Sequence, residues 1–233
     1  NVAIAAVGFT VTSMSNVAIA AVGFTVTSMS LPMMFFLQTA RGLTPTEAAL
    51  LLIPMAVLSG VLAPVAGKLL DRVDPRIILI PGLLCVAGAL IWYSALINMD
   101  TAIWMFLLPS ALMGVGNAGM WGPLATTATR KLPPRQAGAG AGIYNTTRTI
   151  GSVIGSASIA AFMQSRLEAN LPGLADSPAG GSTGGTLPPQ VAEGFAAGMS
   201  QAILLPACVM VVALIASLFL GRYEKTEAAA PVA

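Results

Sequence analysis

TEAALLLIPMAVLSGVLAPVAGKLL (residues 46–70), followed by DRVDPR (residues 71–76), decides the fold. The first piece has one acid at its start, one lysine near its end and 25 residues that are otherwise apolar or small. As a helix it would be about 37 Å long, enough to cross a bilayer. The second piece crowds Asp71, Arg72, Asp74 and Arg76 into six residues, as a water-facing loop does. The alternation recurs along the chain and predicts six spans, at about 16–40, 46–70, 75–97, 101–129, 136–166 and 199–220. Of the 11 Lys and Arg, eight (Lys68, Arg72, Arg76, Arg130, Lys131, Arg135, Arg222 and Lys225) follow the second, fourth and sixth spans, which places them on one face. The other face holds only Arg41 and Arg166, while Arg148 lies inside a span. Positive residues gather on the cytoplasmic side, so both termini are expected there. The expected fold is an all-α, polytopic six-helix membrane bundle.

Composition agrees with that reading. Hydrophobic residues make up 56% of the chain and charged residues 9%, with a mean hydropathy of +0.82. A soluble domain carries about 25% charged residues. The net charge of +2, spread among loops, gives no nucleic-acid surface. Cys85 and Cys208 stand singly in apolar spans and read as core thiols. With no His in the chain, a zinc or haem site has no ligand set, and no cofactor or metal is expected. No nucleophile–base pair suggests an enzyme.

Residues 1–15, NVAIAAVGFTVTSMS, recur unchanged as residues 16–30. Residues 16–40 suffice for one span, whereas both copies in one helix would reach about 60 Å. The expectation is one native copy, the second, with 1–15 an artefact of assembly. Asn1 with no charged n-region ahead of the apolar run argues against a signal peptide and for a fragment. Helix ends are legible farther on. Thr44-Pro45-Thr46-Glu47 forms a capping box with proline at the first helical position. Asp74-Pro75 caps the third span, Asp100 or Thr101 starts the fourth, and Pro133-Pro134 stop it. Residues 167–198, rich in Gly, Pro and Ser, read as an external loop, and 222–233 as a cytoplasmic tail.

Gly67-Lys-Leu-Leu-Asp71-Arg72-Val-Asp-Pro-Arg76 resembles the G-x-x-x-D-R-x-x-x-R loop found between the second and third helix of each half of the major facilitator superfamily. GAGAGIYNTTRTIGSVIGSA (138–157) is similar to a glycine-rich helix of its fourteen-helix drug:proton antiporters, as is LQTARGLTPTEAALLLIP (37–54). The resemblance covers residues 16 to about 220 and implies the C-terminal half of such a transporter, in a bacterial inner membrane. It also implies a missing N-terminal half as partner, amphipathic small molecules as substrate and the proton gradient as energy source.

Arg148 lies about 18 Å along the fifth span from Gln136, close to mid-bilayer. A cation there costs at least about 2.5 kcal/mol on insertion scales, so it should face protein or water. Asn145, Ser152 and Ser156 fall on the same side, giving a polar stripe fit to line a substrate cavity, to which Asn117 of the fourth span is added. The alternative is that Arg148 caps carbonyls or pairs with another helix to fix packing. From the residues alone, Gly67, Asp71, Arg72 and Arg76 fit either a loop whose charges set topology and are solvated or a latch in alternating access, and the resemblance implies the latch: Asp71, disfavoured at a helix C-terminus, needs a partner in Arg72, Arg76 or a nearby helix N-terminus. Gly119, Gly122, Gly151 and Gly155 should allow close helix crossings. Met33, Met34, Phe35 and Phe36 read as lipid-facing or core residues. All nine acids fall in loops or at helix ends, so a proton carrier would belong to the missing half, without which the chain should not transport. Two other readings remain open: a half-size carrier working as a homodimer, and a non-transporting membrane scaffold or remnant.

Overall fold

The computed structural model describes residues 2–129, 134–171 and 189–218. They fold as eight α-helices: α1 (Val2–Ser28), α2 (Ser30–Phe35), α3 (Pro45–Leu50), α4 (Ile53–Leu70), α5 (Pro75–Leu96), α6 (Leu107–Thr129), α7 (Ala137–Asn170) and α8 (Pro189–Leu218). There is no strand among the described residues. Five stretches are long and apolar enough to cross a membrane: Met14–Ala40, Pro45–Leu70, Pro75–Leu96, Ile103–Thr127 and Val191–Leu218. The remaining expected span, α7, has 34 residues, which is ample length, but Asn145, Arg148 and the threonines between them dilute its apolar character.

The local reasons for these helices are in the sequence. Thr44 and Glu47 make the expected capping box: Glu47 N donates to Thr44 Oγ1 at 3.3 Å, and Thr44 N donates to Glu47 Oε2 at 2.8 Å. Asp74 caps α5 by accepting from Arg76 N at 3.0 Å, with Pro75 at the first helical position. The second span is broken at Leu51-Leu52, just ahead of Pro54, which has no N–H to continue the helix behind it. The first span ends in a π-helical turn, Phe36–Ala40, closed by Gly42 at φ 66°, a left-handed conformation that favours glycine. Arg41 then reaches across to the end of α5, donating to the carbonyls of Asn98 (3.3 Å) and Met99 (2.6 Å).

Several boundaries differ from expectation. The fourth span opens with a 3₁₀ turn, Ile103–Phe106, and neither Asp100 nor Thr101 caps it. Both are held instead by Asn98, whose Oδ1 accepts from Asp100 N and from the Thr101 amide and hydroxyl. The loop expected over 167–198 is shorter, because α7 runs to Asn170 and α8 begins at Pro189. Ala192, Phe195, Ala196 and Met199 are buried at helical spacing, and that apolar face holds the extra turns of α8 in the bundle. The first copy of the repeat continues α1 as helix back to Val2. Cys208 is exposed on the outside of α8 and is not the core thiol expected; Cys85 is half-buried. Arg130, Lys131, Pro133, Asp176 and the tail lie outside the described residues.

Packing follows an alternating up-and-down order. α1, α7 and α8 pack on one another, α4 and α5 both pack on α6, and the α5–α8 contact joins the two groups. Met55 of α4 lies against Gly114 of α6, and Leu70 against Gly122, so those helices run parallel, as second and fourth spans must. Ile78 and Val86 of α5 lie against Gly119 and Gly116 respectively, an antiparallel register fit for third and fourth spans. Ser94 of α5 and Ser200 of α8 donate to each other's backbone carbonyls at 2.9 and 2.7 Å, a reciprocal pair inside an otherwise apolar contact.

Candidate functional site

The close crossing of α1 and α7 sets the position of everything on the polar side of α7. Ala20 of α1 meets Gly151, and Phe24 meets Gly155, so the two helices run parallel with their backbones touching. A Cβ at Gly155 would lie 2.6 Å from the Phe24 carbonyl oxygen, and one at Gly151 would overlap the Ala20 carbonyl. On the α1 side Gly23 is equally pressed, against the Arg148 carbonyl. These contacts need glycine because any side chain would force the helices apart. Gly151 and Gly155 thus do what their spacing predicts. Gly119 does likewise against α5, where a Cβ would come within 3.3 Å of the Ile78 carbonyl oxygen. Gly122 meets only the tip of Leu70 at 3.6 Å, an ordinary contact, and is largely exposed.

Arg148 sits where α1, α6 and α7 converge. Its guanidinium carbon lies 5.5 Å from the centre of the Trp121 ring on α6, within cation–π range. Its Nε is buried and has no hydrogen-bond partner. Tyr144, one turn earlier on the same face of α7, is half-buried, and so is Asn117, one turn before Trp121 on α6. No carboxylate stands mid-helix among the described residues: Glu47, Asp71 and Asp74 are at helix ends, Asp100 is in a turn, Glu168 is near the end of α7 and Glu193 near the start of α8.

The stripe read from the sequence is only partly assembled around Arg148. Ser152 donates to the Gly23 carbonyl at 3.1 Å, so it ties α7 to α1 and does not face a cavity. Ser156 donates to Val153 O at 2.9 Å, and Asn145, which is exposed, donates to Ala141 O at 3.0 Å, both within α7. Trp121 was not singled out from the sequence. The only signal for it was its one-turn spacing from Asn117, inside a segment that reads as glycine-driven packing.

The latch loop is formed differently from expectation. Asp71 occupies the C-terminal cap position of α4, is exposed, and forms no ion pair with Arg72 or Arg76 among the described residues. The N-terminal amides of α5 are taken by Asp74. An exposed carboxylate is solvated by water and gains little from a surface pair, which is why no local partner is required. Arg76 has a buried Nε without a partner. A side chain at Gly67 would meet nothing within 4 Å, so no neighbouring helix end approaches it among the described residues. At the other end of the bundle, Met29, Met33, Met34, Met55 and Met113 line a small apolar cavity of about 50 Å³ together with Tyr93.

Residues 3–156 match the Major Facilitator Superfamily. The chain belongs to that family. That membership fits the all-α multi-pass architecture. An uncharacterised MFS-type transporter of Mycobacterium tuberculosis, Rv1250, is 45% identical over 224 residues, covering 94% of this chain and 36% of the relative. The lincomycin resistance protein LmrB of Listeria monocytogenes is 28% identical over 80% of the chain and 38% of its own length. The tetracenomycin C resistance and export protein of Streptomyces glaucescens is 28% identical over 84% of the chain and 41% of its own length. The chain therefore spans little more than a third of the length of these major facilitator relatives.

Proposed function

We propose that this chain is the C-terminal six-helix half of a drug:proton antiporter of the fourteen-helix type, exporting amphipathic small molecules across a bacterial inner membrane. The observation that carries the reading is Arg148, a cation within α7 whose buried Nε has no partner in the described structure. An intramembrane cation is expensive and is kept where it meets substrate, a coupling ion or a water-filled path. The resistance and export roles printed for two of the relatives support a drug-like cargo.

In this mechanism the six helices move as one body against a second half, exposing a midplane site to each side in turn. In this reading Arg148 and Asn145 line the cavity wall, together with Asn117 of α6. The proton-carrying carboxylate is supplied by the other half. The open flank at Gly67 and the exposed Asp71 carboxylate suit a docking point for a helix end of that half, made in one conformation and released in the other. Both termini are cytoplasmic by the distribution of Lys and Arg.

The test is proton-driven uptake of a fluorescent amphipathic dye into inverted membrane vesicles holding the full-length transporter. Uptake should collapse when the proton gradient is discharged, and should fall at least tenfold in Arg148→Ala at equal membrane abundance, on the order of the cost of losing one buried charged contact. Normal uptake by the alanine variant would remove Arg148 from the transport path.

A further inference from the structure

The geometry points to a carboxylate-binding subsite at Arg148, walled by the Trp121 and Tyr144 rings, that selects amphipathic organic anions as cargo. The inference rests on the transporter reading above and adds the charge class of the substrate.

Three observations lead to it. First, Arg148 is the cation of the α1–α6–α7 junction, and no acid among the described residues stands at its depth. Second, its guanidinium lies against the Trp121 ring at 5.5 Å. Such an arrangement covers one face of the fork while leaving N–H groups at its edge able to donate in parallel to two oxygens, the geometry that suits a carboxylate. Third, Trp121 and Tyr144, the latter one turn before Arg148 on the same face of α7, are both aromatic and half-buried, and supply flat apolar surface on that side of the junction. An aryl carboxylate matches that pairing: the acid meets the guanidinium and the ring lies along Trp121. A cationic amphiphile in the same place would meet like charge, and a neutral one would leave the guanidinium unpaired. Ser152 does not compete for the acid, because its hydroxyl is spent on the Gly23 carbonyl.

The experiment uses the full-length transporter in inverted vesicles with a matched pair, 2-naphthoate and the neutral 2-naphthamide, and a lipophilic cationic dye as a third cargo. The expected result is a KM for naphthoate at least about tenfold below that for the amide. Arg148→Gln should raise the naphthoate KM and erase its preference over the amide. Arg148→Lys, which keeps the charge without the fork, should restore only part of it. Trp121→Ala should raise the KM of both aryl compounds, with Trp121→Phe close to the parent. Detergent melting temperatures of the variants separate loss of binding from loss of fold. Transport of the dye or the amide with no preference for naphthoate would overturn the anion assignment and leave the transporter standing. Equal loss of both aryl compounds in Arg148→Gln would overturn it as well, by assigning Arg148 to an acid of the other half. Failure to move any of the three cargoes would overturn the transporter reading itself.

Discussion

Gly151 shows how much a single position decides in this bundle. Its missing side chain lets α7 rest on the Ala20 carbonyl, and that contact fixes how far along the membrane Arg148 sits. A leucine there has no room to turn away from backbone. Gly151→Leu is expected to destabilise the bundle by about 1–3 kcal/mol, the usual cost of overpacking, and to lower its melting temperature in detergent. Gly122→Leu is the matched control, because its nearest neighbour is the flexible end of Leu70 at 3.6 Å, and it should melt close to the parent. Ser152→Ala removes one interhelical hydrogen bond, for an expected loss of about 0.6 kcal/mol. An equal melting temperature for Gly151→Leu and the parent would mean that α1 and α7 do not cross where Ala20 and Gly151 meet. The glycine positions were legible from their spacing, since small residues a turn apart have one main use in a membrane. The role of Ser152 was not: a polar stripe on one helix does not reveal which of its members is already satisfied by the next helix.

At the level of elements, what could be read from the sequence was what is local. The capping box at Thr44 and Glu47 and the Asp74-Pro75 start of α5 are formed by residues within four positions of one another, and both stand in the structure as the sequence predicts. Thr44→Ala should therefore cost about 0.5–2 kcal/mol and be visible as faster amide exchange in the α3 backbone; unchanged exchange there would show that the cap is not what holds α3. The start of α8 was read ten residues late, because the glycines and prolines of the preceding segment mask an apolar face at 192, 195, 196 and 199 that gains stability only once packed. The turn at Asn98 was misassigned for a related reason. Asp100 and Thr101 are both good caps by type, but the Asn98 side chain collects their donors first. The Ser94–Ser200 pair joins residues 106 positions apart and left no sequence signal at all.

On the scale of the whole molecule, the two groups of helices leave long faces without a protein neighbour. No residue of α4 is buried over its 18 positions, and Val57, Val61 and Val65 stand one above another on its open side. Lipid covers such a surface as well as protein does, so the apolar face alone does not call for a partner. The polar side of α7 does, because neither Arg148 nor the exposed Asn145 is a residue for hydrocarbon. The duplicated 15-mer belongs to the same scale. The α1 contacts to α7 and α8 through Ala20, Gly23, Phe24 and Thr25 lie in the second copy, while Met14 and the buried Ser15 at the end of the first copy also pack into the bundle. Deleting residues 1–13 is accordingly expected to leave melting temperature and membrane insertion unchanged; loss of insertion would make the first copy part of the fold. Five of the six expected spans, and the relative directions of the packed helices, were recoverable from charge placement and hydropathy alone, since a bilayer allows few other arrangements. The convergence of Trp121 on Arg148 was not, because it depends on which face of α6 turns toward α7.

If these six helices are one half of a larger transporter, the intact mass of the native gene product must include the other half. Captured through an antibody to the tail EKTEAAAPVA and weighed by mass spectrometry, the product should exceed 23.6 kDa by at least the mass of a second six-helix unit. A complete native product of 23.6 kDa would contradict the account and leave the chain to act, if it transports at all, as a pair of identical halves.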